Sequence, residues 1–276
     1  MKLTPAALSE LHEQRLPDIK VLNMSDKSIT SIEDISCCVQ MHKLDLSKNL
    51  LKTQDSLRGL RYCKELTWIN LAHNSLTTID PLVWQSKLVV LNASHNELIS
   101  CTETIASMLS LKALVLNHNQ IATTPQTQYP PNLNSLILSH NKIESPGFLS
   151  SLKDLTKLSL SHNLLRIIPD LTPNSQLKEV SLNSNKISII SNLPPCLEIL
   201  DLGNNLIREF EDFKAELPNL HSLNLKGNLI CSKPAYREQI LAMFPKLRIL
   251  DGERFDSKFV ERKKKRMAMK KRRSKQ

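Results

Sequence analysis

Apolar residues recur along the chain in one short text, L-x-x-L-x-L-x-x-N-x-L/I. It reads MHKLDLSKNLL from Met41, LTWINLAHNSL from Leu66, LVVLNASHNEL from Leu88, LKALVLNHNQI from Leu111 and LNSLILSHNKI from Leu133. It continues as LTKLSLSHNLL from Leu155, LKEVSLNSNKI from Leu177, LEILDLGNNLI from Leu197 and LHSLNLKGNLI from Leu220. A weaker first copy, IKVLNMSDKSI from Ile19, has Lys27 where Asn is expected. The x-L-x-L-x centre alternates with period two, which predicts a short strand with its leucines on one buried face. The nine asparagines, from Asn49 to Asn228, are spaced by 25, 22, 23, 22, 22, 22, 20 and 23 residues.

One such unit cannot bury its own leucines, so the units must stack. Stacking aligns the strands in parallel and superposes the asparagines, whose amides carry both donors and acceptors for neighbouring coils. Ten strands at about 4.8 Å give a face on the order of 45 Å long. The remainder of each unit is too short for a long helix. Segments 129–133 (YPPNL) and 193–197 (LPPCL) favour extended chain, because proline disfavours helix. Near the N-terminus, Thr4 is a candidate N-cap with Pro5 in the first helical position, Ala6 to Gln14 are helix formers, and Leu8 and Leu11 are expected to cover the first coil.

These units resemble the 22-residue leucine-rich repeats typified by the type 1 phosphatase regulatory subunit, the axonemal dynein light chain and the spliceosomal A-prime protein. The resemblance covers about residues 19–252. The text GNLICSKPAYREQILAMFPKLRILDG, residues 227–252, is similar to the C-terminal cap of that class. There Tyr236 and Arg237 begin a short helix, Pro245 ends it, and Leu247, Leu250 and Asp251 form a last half-repeat. The class carries Pro after the final Asn, where this chain has Leu229. The resemblance implies an α/β solenoid: a right-handed horseshoe of about ten parallel strands, with short 3₁₀ or extended convex segments and a cap at each end. It also implies a protein-binding role. The expected division is an N-terminal capping helix (1–18), repeats (19–230), a C-terminal cap (231–252) and a basic tail (253–276).

Composition narrows the chemistry. The net charge of +10 is concentrated in residues 253–276, which hold 12 Lys/Arg against 3 Asp/Glu; the remainder is nearly neutral at +1. The five glycines are scattered, so no phosphate-cradling loop is formed. No HExxH, GxSxG, Walker A or CxxC motif occurs. The chain is read as non-enzymatic, with no cofactor and no metal. Six scattered cysteines are read as reduced, mostly buried thiols of an intracellular protein. No secretory signal or membrane-length apolar run is present, so no membrane contact is expected. The sequons at Asn23 and Asn92 fall inside strands and are read as chance.

Side chains flanking the strand leucines face the concave side. Of the thirty in the three columns, six are charged, three of each sign. Trp68, Val90, Ala113, Val115 and Ile137 lie on adjacent strands and are expected to form an exposed apolar patch, with Lys43 and Asp45 beside it. This is the candidate protein-binding site, and Trp68 its anchor. His73, His95, His118, His140 and His162 precede five of the asparagines. They are read as an exposed column, since histidines stacked along an axis do not converge on a metal.

The tail carries two basic clusters, Arg262, Lys263, Lys264, Lys265 and Arg266, then Lys270, Lys271, Arg272 and Arg273. Import into the nucleus, including the nucleolus, is the first reading of these clusters, and RNA binding the second. A solubilising tail ranks third and a membrane surface last. The chain is therefore expected to be a nuclear scaffold in RNA processing or ribosome assembly, a monomer within a larger complex. It would grip a protein on its concave face and an importin or RNA through its tail. The rivals are a type 1 phosphatase regulatory subunit, disfavoured by the scarcity of acidic and aromatic residues on the concave face, and a ciliary or cytoskeletal adaptor.

Overall fold

A computed structural model of the chain describes residues 1–100, 103–124 and 129–255. From the N-terminus, β1 (Lys2–Leu3) precedes α1 (Pro5–Leu11). The repeats supply β2 (Val21–Asn23), β3 (Ser31–Ile32), β4 (Lys43–Asp45), β5 (Trp68–Asn70), β6 (Val90–Asn92), β7 (Ala113–Val115) and β8 (Ser135–Ile137). They continue as β9 (Lys157–Ser159), β10 (Glu179–Ser181), β11 (Ile199–Asp201) and β12 (Ser222–Asn224). Helix α2 (Tyr236–Met243), β13 (Ile249–Leu250) and β14 (Glu253–Arg254) close the described chain.

The sheet runs in the order β14-β13-β12-β11-β10-β9-β8-β7-β6-β5-β4-β2, parallel throughout except for the β13–β14 pair. All ten strands that the repeated text predicts are present, each three residues long. Every strand centre, Leu22, Leu44, Ile69, Leu91, Leu114, Leu136, Leu158, Val180, Leu200 and Leu223, is at most 1% exposed. Complete burial of such a side chain stabilises by about 1.5–3 kcal/mol. The aliphatic spine therefore holds the coils together. The opposite side consists of 3₁₀ turns and extended chain. The longest turn, Gln54–Tyr62, sits in the widest gap, the 25 residues between Asn49 and Asn74.

The asparagines form the second spine. In the central coils, Asn141 Oδ1 accepts from Ile121 N at 2.9 Å, while Nδ2 donates to Leu116 O and Leu138 O, both at 3.0 Å. Asn74, Asn96, Asn119, Asn163, Asn185, Asn205 and Asn228 repeat this arrangement. The last asparagine of this spine is Asn228; beyond it Asp251, in register with Asn224, makes a different closing contact. Asp251 Oδ1 accepts from Leu225 N at 2.7 Å, and its other oxygen accepts from the buried Tyr236 hydroxyl at 2.9 Å. Burial first, then the Asp251 carboxylate, pushes the Tyr236 hydroxyl well above its ordinary pKa. An anion suits this site because both oxygens face donors.

The ends differ from the sequence expectation. The helix α1 is shorter than residues 1–18, with Thr4 accepting from Ala7 N at 3.1 Å as its N-cap. Leu8 is fully buried, but Leu11, at the end of the helix, is 51% exposed. Instead Leu3, fully buried, comes in through β1, which pairs with β3. At the other end β14 turns back on β13, and Glu253 pairs with Arg237 at 2.7 Å, so the sheet extends past residue 252.

Candidate protein-binding site

Parallel register sets the concave face. Lys43, Trp68, Val90, Ala113 and Ser135 are successive partners across β4 to β8, and so are Asp45, Asn70, Asn92, Val115 and Ile137. Trp68, Val90, Ala113, Val115 and Ile137 thus meet on four adjacent strands. Each is half-buried and not fully open as expected, because neighbouring strands crowd side chains on one sheet face. Lys43 is exposed and makes no ion pair among the described residues. Asp45 is committed locally: Ser47 N and Oγ donate to it at 2.9 and 2.7 Å, and Asn70 Nδ2 at 3.1 Å. Val21, 59% exposed, and Ile199, 43% exposed, add apolar surface on the Trp68 column outside the expected patch.

The C-terminal half of the face satisfies itself. Lys157 pairs with Glu179 at 2.7 Å, and Ser161 Oγ lies 2.7 Å from Ser181 Oγ. Asn183 and Asn224 donate to Asp201 at 2.8 and 2.7 Å. Beside them lies an open cleft of about 380 Å³ whose lining mixes Glu179, Asp201, Asn224 and Lys226 with Ile199 and Ile249. Asn23 and Asn92 sit in β2 and β6, where each side chain accepts from a backbone N–H two residues on, Ser25 N and Ser94 N.

The five histidines line the C-terminal edge of this face as a continuous stack. Ring centres are 4.1, 4.2, 4.0 and 4.0 Å apart, with planes within 12°. Each has a positive φ, between 52° and 57°. Lys48, Ser184, Asn204 and Gly227 occupy the same position in other coils, also at positive φ. The repeat thus needs a left-handed residue before its asparagine, and histidine is among the side chains enriched there. Burial, then the charge of neighbouring histidines, holds His95 and His140 below the ordinary histidine pKa. Among the described residues no group of three His, Cys, Asp or Glu can hold a metal ion.

Two of the five described cysteines, Cys38 and Cys63, are buried, fewer than the sequence suggested; all five are free. Burial and the neighbouring Cys37 push Cys38 up to about 12, and burial with the adjacent Cys38 does the same to Cys63. Such thiols are poor nucleophiles. Cys101 and the tail residues Arg262, Lys263, Lys264, Lys265, Arg266, Lys270, Lys271, Arg272 and Arg273 lie outside the described residues. Among the described residues no helix is long and apolar enough to cross a membrane.

A strand per coil, an aliphatic spine and an asparagine spine define a solenoid that presents a curved sheet to a partner. The comparisons give the same class. The leucine-rich repeat family model matches residues 158–276, and a two-copy leucine-rich repeat model matches residues 131–173. The U2 small nuclear ribonucleoprotein A' of Eremothecium gossypii is 43% identical over 58 residues, 20% of this chain and 24% of that protein. Protein NUD1 of Saccharomyces cerevisiae is 28% identical over 130 residues, 40% of this chain and 14% of that protein. The adenylate cyclase of Schizosaccharomyces pombe is 29% identical over 109 residues, 39% of this chain and 6% of that protein. The matches therefore span a quarter or less of these relatives. The functional domain of InlJ from Listeria monocytogenes superposes with a TM-score of 0.67 at 22% identity, covering 84% of this chain and 53% of that one. TLR13 in its complex with ssRNA13 gives 0.66 at 22%, covering 84% and 35%. At this identity both likenesses bear on the fold alone. The chain is a leucine-rich-repeat protein of the A-prime-like class, and that fold is a protein-binding scaffold.

Proposed function

We propose that the chain is a nuclear scaffold in an RNA-processing or ribosome-assembly complex, holding one protein segment against Trp68, Val90, Ala113, Val115 and Ile137. The observation that carries the docking reading is the contrast within one sheet. The C-terminal half of the face pairs several of its polar groups internally, whereas the Trp68 half sets five half-buried apolar side chains together on four adjacent strands. Half-buried aromatic side chains in such a position are typical interface anchors. The setting rests on the 43% identity with the U2 ribonucleoprotein A' over 58 residues and on the two basic clusters of the tail, which suit an import receptor or RNA.

Trp68→Ala is expected to weaken partner capture by about 2 kcal/mol or more while leaving the melting curve in place. Unchanged recovery of partners in a pull-down with this variant refutes the docking site. Deletion of residues 262–276 is expected to move a tagged protein out of the nucleus; unaltered localisation refutes the import reading.

A further inference from the structure

The convex side carries a second surface that the docking reading does not use. The 3₁₀ turn Gln54–Tyr62 packs beside the turn Asp80–Trp84. Their ends bring together Tyr62, 52% exposed, and Trp84, 48% exposed. The Arg61 guanidinium carbon lies 5.1 Å from the Trp84 ring centre and 5.9 Å from that of Tyr62. Lys64 Nζ lies 5.1 Å from the Trp84 ring. Arg58, one turn earlier, is also exposed. Among the described residues none of these three cations makes an ion pair, whereas the nearby Lys87 is matched by Glu65 at 2.7 Å.

Two large aromatic rings are thus left half in water, attended by cations that make no ion pair among the described residues. A cation over an exposed ring gains little, so the cluster does not stand on its own contacts. A partner that completes it must supply flat π surface for the rings and negative charge for Arg58, Arg61 and Lys64 at the same time. Single-stranded nucleic acid does both, with bases stacking on the rings and phosphates meeting the cations. An acidic peptide supplies only the charge. We propose that Tyr62, Trp84, Arg58, Arg61 and Lys64 form a docking site for single-stranded RNA on the convex face. The concave face plays no part in this proposal, and neither reading depends on the other.

The tail also attracts polyanions, so the test must read stacking and not charge alone. Trp68→Phe in the full chain leaves Trp84 as the only tryptophan. Oligouridine is expected to quench its emission saturably, while inorganic polyphosphate at equal charge does not. Trp84→Ala is expected to weaken oligouridine binding about tenfold or more and leave polyphosphate binding unchanged. Paired Arg61→Gln and Lys64→Gln substitutions, which spare the rings, are expected to lower the slope of log affinity on log salt by about one. Oligothymidine in parallel decides whether ribose is read: equal binding broadens the ligand to single strands of either sugar and leaves the stacking site standing. Absent quenching, an unaltered affinity in Trp84→Ala, or equal quenching by polyglutamate overturns the proposal.

Discussion

Replacing Asn141 by alanine tests the asparagine spine in the middle of the stack. Asn141 is 9% exposed and lies in the middle of the stack. Its loss does not strand the three carbonyls it serves: Leu116 O keeps the donor of Asn119 at 3.0 Å, Leu138 O keeps that of Asn163 at 3.0 Å, and Ser139 O, its longer contact at 3.3 Å, keeps the His118 N–H at 2.9 Å. The buried Ile121 N–H, however, loses its acceptor. An orphaned buried N–H costs about 1–3 kcal/mol, and each of the two shorter carbonyl bonds about 1 kcal/mol, giving about 3–5 kcal/mol in all. That is a large share of the roughly 5–15 kcal/mol of a typical domain. In a stacked array it acts on the interfaces with both neighbouring coils. Urea unfolding read by circular dichroism measures it. Asn141→Asp separates the causes: it keeps an acceptor for Ile121 N but sets a carboxylate oxygen against two carbonyl oxygens. It is expected to lose at least as much as alanine at neutral pH and to recover part of the loss as acid protonates the carboxyl. An alanine variant losing less than about 1 kcal/mol, or an aspartate variant tolerated at neutral pH, refutes the reasoning.

Two further outcomes follow from the geometry. Because His95 and His140 are held below the ordinary histidine value of 6.5, the unfolded chain binds protons that the folded chain refuses. Their contribution to stability is therefore complete above about pH 6.5 and is lost as the pH falls below it. Urea midpoints are expected to drop between about pH 7.5 and about pH 5, and to drop less in a His95→Asn, His140→Asn double variant, since asparagine also accepts the left-handed backbone. An identical drop in the double variant removes the stack as the cause. Tyr236→Phe leaves one Asp251 oxygen without its buried donor and is expected to cost about 1.5–3 kcal/mol. Hydrogen exchange should speed up in β13 and stay unaltered in β8; uniform acceleration contradicts a local closing role.

The repeated strands were legible because the constraint is written in side chains. A leucine at each strand centre and an asparagine at each turn must recur or the coils do not stack. The histidine column was visible as letters but not as a cause. Its cause is a positive φ, and the clue was the Asn204 and Gly227 that share its position. The two-residue strands β1 and β14 carry no periodicity of their own, since only tertiary neighbours make them strands. The apolar patch was found from register alone, but its half-burial depends on how closely adjacent strands crowd one another. Tyr62 and Trp84 were missed because convex segments vary in length between asparagines, leaving no template that places their side chains.

The reversed final strand carries a consequence for assembly. A stack of like coils is an open-ended polymer: its last parallel strand offers the same hydrogen-bonding pattern as every strand before it and could template another molecule. Here β14 runs against the grain and is two residues long. A parallel strand arriving at that edge would meet a neighbour of opposite direction and only two residues of length, not the template that every other coil offers.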